Sequence, residues 1–263
     1  MWKKAMIVFV VLFVLPLATA LCTPGGDEPV QVSLPVKASG AGLESVTNAE
    51  GWTVDLSVFR LAISDIEFTI EGETHASRTS EIGNWLIPSA NAHPGHYAGG
   101  EVTGELLGNF VLDPLSSEQR LGKGTLLTED YNGANLHFRV ADDSDGLSAD
   151  DPLLGHTAYI EGEASNGDRT IAFTATLDVA DGTEMVGAPF ELSITEETAG
   201  AIVLEVLTLD PSEGDTMFDG LDFGALDDDD DDIVIIEPGS SAHNILMKTV
   251  IRHDHYLMVF ETK

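Results

Sequence analysis

Eight histidines and a single cysteine set the chemistry open to this chain. Four of the histidines come in two close pairs, His93-Pro94-Gly95-His96 and His253-Asp254-His255. In the first, a Pro-Gly turn reverses the backbone between the imidazoles and could aim both at one ion. In the second, residues i and i+2 of an extended segment would project from the same face. Asp254 would then point the other way, or serve as an outer acceptor if the strand twists. Neutral imidazole suits copper, zinc and nickel. With Cys22 the only thiol, any such centre is ligated by nitrogen and oxygen.

The other histidines carry less. His156 begins a strand after Leu154-Gly155 and is a lesser candidate, as is Glu101, which follows Gly99-Gly100 and could add an oxygen ligand. His137 alternates with core residues and reads as a solvent-facing strand residue. His75 follows a Gly-Glu-Thr turn and has no partner nearby in sequence. The two close pairs lie far apart along the chain, so a shared site requires the fold to bring them together. Enzyme chemistry finds little support: there is no Gly-x-Ser-x-Gly elbow, no His-Glu-x-x-His and no phosphate-cradling loop. Carboxylates are too numerous for any pair to stand out as acid and base.

The N-terminus sets the compartment expected. Lys3-Lys4 precedes an apolar run from Met6 to Leu17, and Ala18-Thr19-Ala20 offers the small residues of a signal-peptidase site. The run is short for a membrane span, which takes about 20 residues. Residues 1–21 therefore read as a signal peptide, 22–29 as a flexible tether and 30–263 as one domain. Cys22 stands where a bacterial lipoprotein carries its lipidated cysteine, although Leu21 is bulky for that motif. The expectation is an extracytoplasmic bacterial protein, periplasmic or held to the membrane only by an N-terminal lipid. A net charge of −33 excludes nucleic acid and anionic lipid as partners and favours cations and basic proteins.

Strands must position whatever site exists. Val30, Val32, Leu34 and Val36 alternate with smaller or polar residues. From Val54 to Ile70 the apolar phase changes twice, which predicts a bulge or bend between two strands. Asn132-Gly133 and Asn166-Gly167, each between alternating runs, predict two hairpins. Phe190 to Ile194, Val203 to Leu209 and Tyr256 to Glu261 add further strands. Ala242 to Arg252, capped by Ser240 or Ser241, is the best helix. The pattern predicts an all-β fold, an antiparallel immunoglobulin-like β-sandwich with one short helix near the C-terminus. Asp227 to Asp232 reads as a solvated loop, and Asp142-Asp143-Ser144-Asp145-Gly146 fails the EF-hand spacing. An irregular calcium site remains open for either stretch.

The Phe59-Arg60-Leu61-Ala62-Ile63-Ser64-Asp65-Ile66 strand, the Leu209-Asp210 and Met217-Phe218-Asp219-Gly220-Leu221 segments and the Ala242-His243-Asn244 helix start carry one resemblance. In these scattered pieces the chain resembles the periplasmic copper-binding partner proteins of methanobactin systems. The resemblance implies a β-sandwich with a copper role, in some members with an oxidised tryptophan at the metal. Trp85 precedes His93 by eight residues and Trp52 is remote from every histidine in sequence, so no such ligand is carried over. Function is accordingly expected to be binding of copper or zinc for uptake, storage or delivery, with His93, His96, His253 and His255 as ligands. An outer-membrane transporter or periplasmic protein would be its partner. The alternatives are a non-catalytic glycan- or protein-binding module and a calcium-stabilised structural protein.

Overall fold

The computed structural model describes residues 29–70 and 100–262. Cys22, His75, His93 and His96, with the expected signal peptide and nearly all of the expected tether, lie outside these residues. The described chain is mostly β, as expected. Twelve strands join one curled sheet.

The spine is β3 (Thr53–Ile70), an 18-residue strand whose two halves serve different neighbours. Its first half pairs with β2 (Val46–Thr47) and β7 (Ala158–Asn166), its second with β4 (Glu101–Leu112) and β6 (Asp130–Phe138). Register shifts fall between Leu56 and Val58 against β7, and between Ser64 and Ile66 against both β4 and β6. These are the points at which the apolar phase changes. Val54 leads to Phe59, Leu61 and Ile63, and then to Ile66 and Phe68, all buried. An extra residue at each bulge returns the apolar side chains to the core. The phase changes therefore mark one bent strand, where two strands were an equal reading.

From β3 the sheet runs one way through β7, β8 (Arg169–Leu177) and β11 (Ile233–Ile236). The other way it runs through β4, β5 (Gln119–Leu127), β1 (Gln31–Ser39), β10 (Gly200–Val206) and β12 (Tyr256–Thr262). On the far side of β6 lies β9 (Glu184–Ser193), which packs against β12 without pairing. That contact curls the sheet around its core. Two pairings are parallel, β1 with β10 and β11 with β8. The sheet is thus mixed, where the short even strands predicted a wholly antiparallel sandwich. Parallel neighbours need long crossovers, and strand spacing along a sequence cannot reveal them.

One predicted hairpin holds and one does not. Gly167, with φ of 62°, turns β7 into β8. Asn132 and Gly133 instead lie inside β6, and β6 pairs with β3 and β9, not with β5. A Cβ on Gly133 would sit 2.8 Å from Thr69 Oγ1. The glycine serves close strand approach here, not a turn.

The core is rich in aromatic rings. Phe173 packs against Phe223 at 4.9 Å and Phe218 at 6.0 Å between ring centroids, and Phe68 against Phe190 at 5.5 Å. Phe223 opens α1 (Phe223–Leu226), and α2 (Ser241–Val250) is capped by Ser240, whose Oγ accepts from His243 N at 3.0 Å. Leu246 and Val250 of α2 are fully buried, and the helix packs on β8. Trp52 donates from Nε1 to Asp222 Oδ1 at 3.1 Å and meets Phe223 edge-on, a structural role.

Tyr256 joins α2 to the sheet. Its ring is buried against Phe138, and its hydroxyl donates to Val250 O at 2.6 Å. Burial holds that hydroxyl protonated by pushing its pKa far up. Tyr256→Phe would strand the Val250 carbonyl, and we expect a loss of about 1–2 kcal/mol in urea denaturation. A neutral effect would mean that this bond contributes nothing.

Candidate metal centre

Of the histidines expected as ligands, those among the described residues fall in two segments, His253 with His255 in one and His156 in the other. His253-Asp254-His255 forms a 3-10 turn, closed by His255 N donating to Arg252 O at 3.3 Å, and not the extended segment expected. His255 is fully buried, and its Nδ1 bonds Leu207 O at 2.9 Å. His253 Nε2 lies 2.8 Å from Asp254 Oδ1. The inward pull on His255 winds the turn, so the two imidazoles do not share one face. His156 bonds Asp178 Oδ1 through Nδ1 at 2.6 Å. Asp178 N in turn donates to His243 Nε2 at 3.2 Å. Glu101 is the exposed first residue of β4.

Among the described residues, two groups of three side chains hold potential ligand atoms within 4.8 Å of one another. The first is Glu67, His137 and Glu184. His137 Nε2 stands 3.6 Å from Glu67 Oε1. The three come from β3, β6 and β9, the strands on either side of β6. His137 is directly opposite Glu184, and Glu67 is directly opposite Asn135, two residues from His137 on the same face of β6.

Asn135 organises the group. It is buried, and its Nδ2 donates to Glu67 Oε2 at 3.3 Å and to Glu184 Oε1 at 3.2 Å. Its own Oδ1 accepts from Gly187 N at 3.2 Å, so the amide orientation is fixed by the backbone of β9. A buried amide bonded to both carboxylates keeps them facing one another despite their like charge. Outer contacts of this kind orient metal ligands. Register shifts flank the group on both sides, at Ser64–Ile66 in β3 and between Ala134 and Leu136 in the β6–β9 pairing. Gly187, with φ of 89°, supplies the backbone that the second bulge requires. Bulges re-aim side chains next to sites.

Sequence analysis missed this group. Alternation gave the outward face of His137 correctly. Nothing in the sequence marks β6 as the neighbour of β3, because Asn132-Gly133 pointed to β5.

The second group, Asp227, Asp229 and Asp231, belongs to the aspartate run. It departs from a freely solvated loop at Asp227, whose buried carboxylate pairs with Arg169 and accepts from Asp231 N and Asp232 N at 3.2 and 3.0 Å. Those bonds occupy it without an ion. Asp145, in the other acidic stretch, is likewise paired with buried Arg139 and closes a 3-10 capping box with Asp142. Comparison with family models, curated proteins and solved structures gives no match for this chain.

The buried turn has a consequence for pH. Burial pushes the His255 imidazole below its usual pKa, with Arg252 adding to the push while Leu207 O, Asp210 and Asp254 oppose it. Burial raises the Asp254 carboxyl, yet His253 and Arg252 more than offset this and hold it well below the carboxylate range. In both cases the unfolded chain binds the proton more readily, so acid withdraws stability. For His255 the loss begins as pH falls through about 6.5, and for Asp254 it begins near about 4. His255→Asn keeps a donor for Leu207 O and removes the titration. Melting temperature should fall between pH 7 and 5 in the parent and stay nearly flat in H255N; equal slopes would assign the effect elsewhere.

Proposed function

We propose that this protein binds a divalent transition-metal ion at Glu67, His137 and Glu184, as an extracytoplasmic carrier or store. The observation that carries the reading is the pair of carboxylates held beside an imidazole by buried Asn135. Tetrahedral zinc ligands stand about 3.4 Å apart, given bonds near 2.1 Å. The 3.6 Å between His137 and Glu67 is already close to this, and a Glu184 carboxylate oxygen lies within 4.8 Å of both. One nitrogen with two oxygens suits zinc or copper(II). The resemblance to the methanobactin partner proteins favours copper.

Glu184 is exposed, so the fourth position opens to solvent. Three protein ligands with one open position make an exchangeable site, suited to receiving and passing on an ion. The acidic surface concentrates cations around it. In fold, we read the curled sheet as a distorted sandwich, with the site on the outer face of the β9–β6–β3 wall. The leader-like residues 1–21 support export, and Cys22 supports a lipid tether.

Titration of the metal-free protein with zinc and copper(II) tests the assignment. We expect one site with micromolar or tighter affinity, weakened about 100-fold or more in H137A and in the double variant E67Q/E184Q. Affinity should fall as the solution is acidified, because protons compete for the ligands. Loss in H93A/H96A but not in H137A would move the centre to that pair. No binding in the parent would remove the function.

A further inference from the structure

The sheet ends at β11, and its outer edge has no strand beside it among the described residues. Val234 and Ile236 point into the core, while Ile233 and Ile235 are 56% and 68% exposed. Proteins usually blunt such edges with lysine or proline. β11 itself carries neither, and is limited instead by its four-residue length, the aspartates before it and Glu237-Pro238 after it. Ala172 N donates to Asp232 O at 2.9 Å, and in a parallel ladder alternate residues serve the neighbour. The peptide groups of Ile233 and Ile235 therefore turn toward the open side, where Ile233 N already donates to Asp231 Oδ1 at 3.0 Å and, among the described residues, the Ile235 N–H remains for an incoming strand.

A cavity of ≈ 300 Å³ adjoins the edge on the outward face. Its two cross-strand rows follow from the register. Asp55, Glu163, Ala172 and Ile233 form one, and Glu161, Thr174 and Ile235 the other. The small side chains of Ala172 and Thr174 leave a trough between the isoleucines and the carboxylates. No basic side chain lines it. Asp55 and Glu163 stand directly opposite each other with no ion pair to either among the described residues. Like charges in that position are destabilising, which marks a surface completed by a cation from elsewhere.

We propose that β11 and this trough receive an extended, arginine-bearing segment of a partner protein, which adds to the sheet by backbone pairing. Such strand addition gains affinity from main-chain bonds and specificity from alternate side chains. A strand beside β11 would lie about 14 Å from β7, three strand spacings. An arginine laid over the trough floor spans about half of that, and the side chain of Glu161 or Glu163 reaches back for the rest. Arginine also grips carboxylates with two parallel bonds, which lysine cannot. A second copy of this chain fits poorly, since each copy brings a net charge of −33.

The probe is a labelled peptide alternating arginine and valine, compared with its glutamate and lysine counterparts by fluorescence anisotropy at low and high salt. Two variants of the protein accompany it, each checked for folding by circular dichroism. I235P removes one open-edge N–H and leaves the β8 ladder intact, and E161Q/E163Q removes the charge. We expect the arginine peptide to bind best, and each variant to weaken it about tenfold or more. Equal binding of arginine and glutamate peptides, unchanged binding in both variants, or no binding at all would overturn the proposal. So would concentration-dependent dimerisation in sedimentation that I235P abolishes, which would give the edge to a second copy. Metal titration of the same variants should match the parent, which separates this surface from the Glu67–His137–Glu184 centre.

Discussion

A strand of 18 residues that serves four neighbours cannot keep its apolar side chains in one phase, and β3 meets that constraint by shifting register at Leu56–Val58 and Ser64–Ile66, with a further shift against β4 at Phe68–Thr69. Much of the fold depends on those breaks. Each returns side chains to the core, and each lets a different strand take over along β3. Near the second, buried Arg139 donates to Ile63 O at 3.0 Å and Val140 O at 3.1 Å and pairs with Asp145. The guanidinium thereby ties the bent strand to the loop that covers it. Losing the partner of so buried a charge is costly, because the remaining charge has no water to solvate it. The same bulge sets Glu67 beside His137.

This is also where sequence and structure part. The phase changes in Val54 to Ile70 were legible because burial imposes period two between bulges. The α2 helix and its Ser240 cap were legible for equally local reasons, as was the Asn166-Gly167 hairpin. The parallel pairings and the β6–β9 extension depend on residues far apart in the chain, and alternation carries no address for a neighbour. The Glu67–His137–Glu184 group shares that fate. Its three side chains are separated by long stretches of sequence, whereas the eye-catching His253-Asp254-His255 pair folds into a turn with one ring turned inward.

Charge is distributed with the same economy. Against 45 acidic residues the chain has only 12 basic ones. Four arginines hold loops: Arg60 with Asp151 at 2.7 Å, Arg139 with Asp145, Arg169 with Asp227, and Arg252 with Asp254 at 2.8 Å. Arg169 opens β8 and faces the aspartate run just before β11, so it clasps the start of a parallel pairing that has only four residues to fix its register. Basic residues in the described strands gather on β1 and β5, as Lys37, Arg120 and Lys123, apart from Arg60 in β3 and Arg169 at the start of β8.

The place of β1 bears on how the molecule comes into being. It is the first of the described strands, yet it sits between β5 and β10, and β10 in turn waits for β12. Pairings this distant are slow to form, since the loop entropy is lost before the contacts are gained. A nascent chain of this topology cannot complete its sheet until nearly its whole length is available. The sheet therefore closes late, with β10 short of one of its two neighbours until β12 has been made.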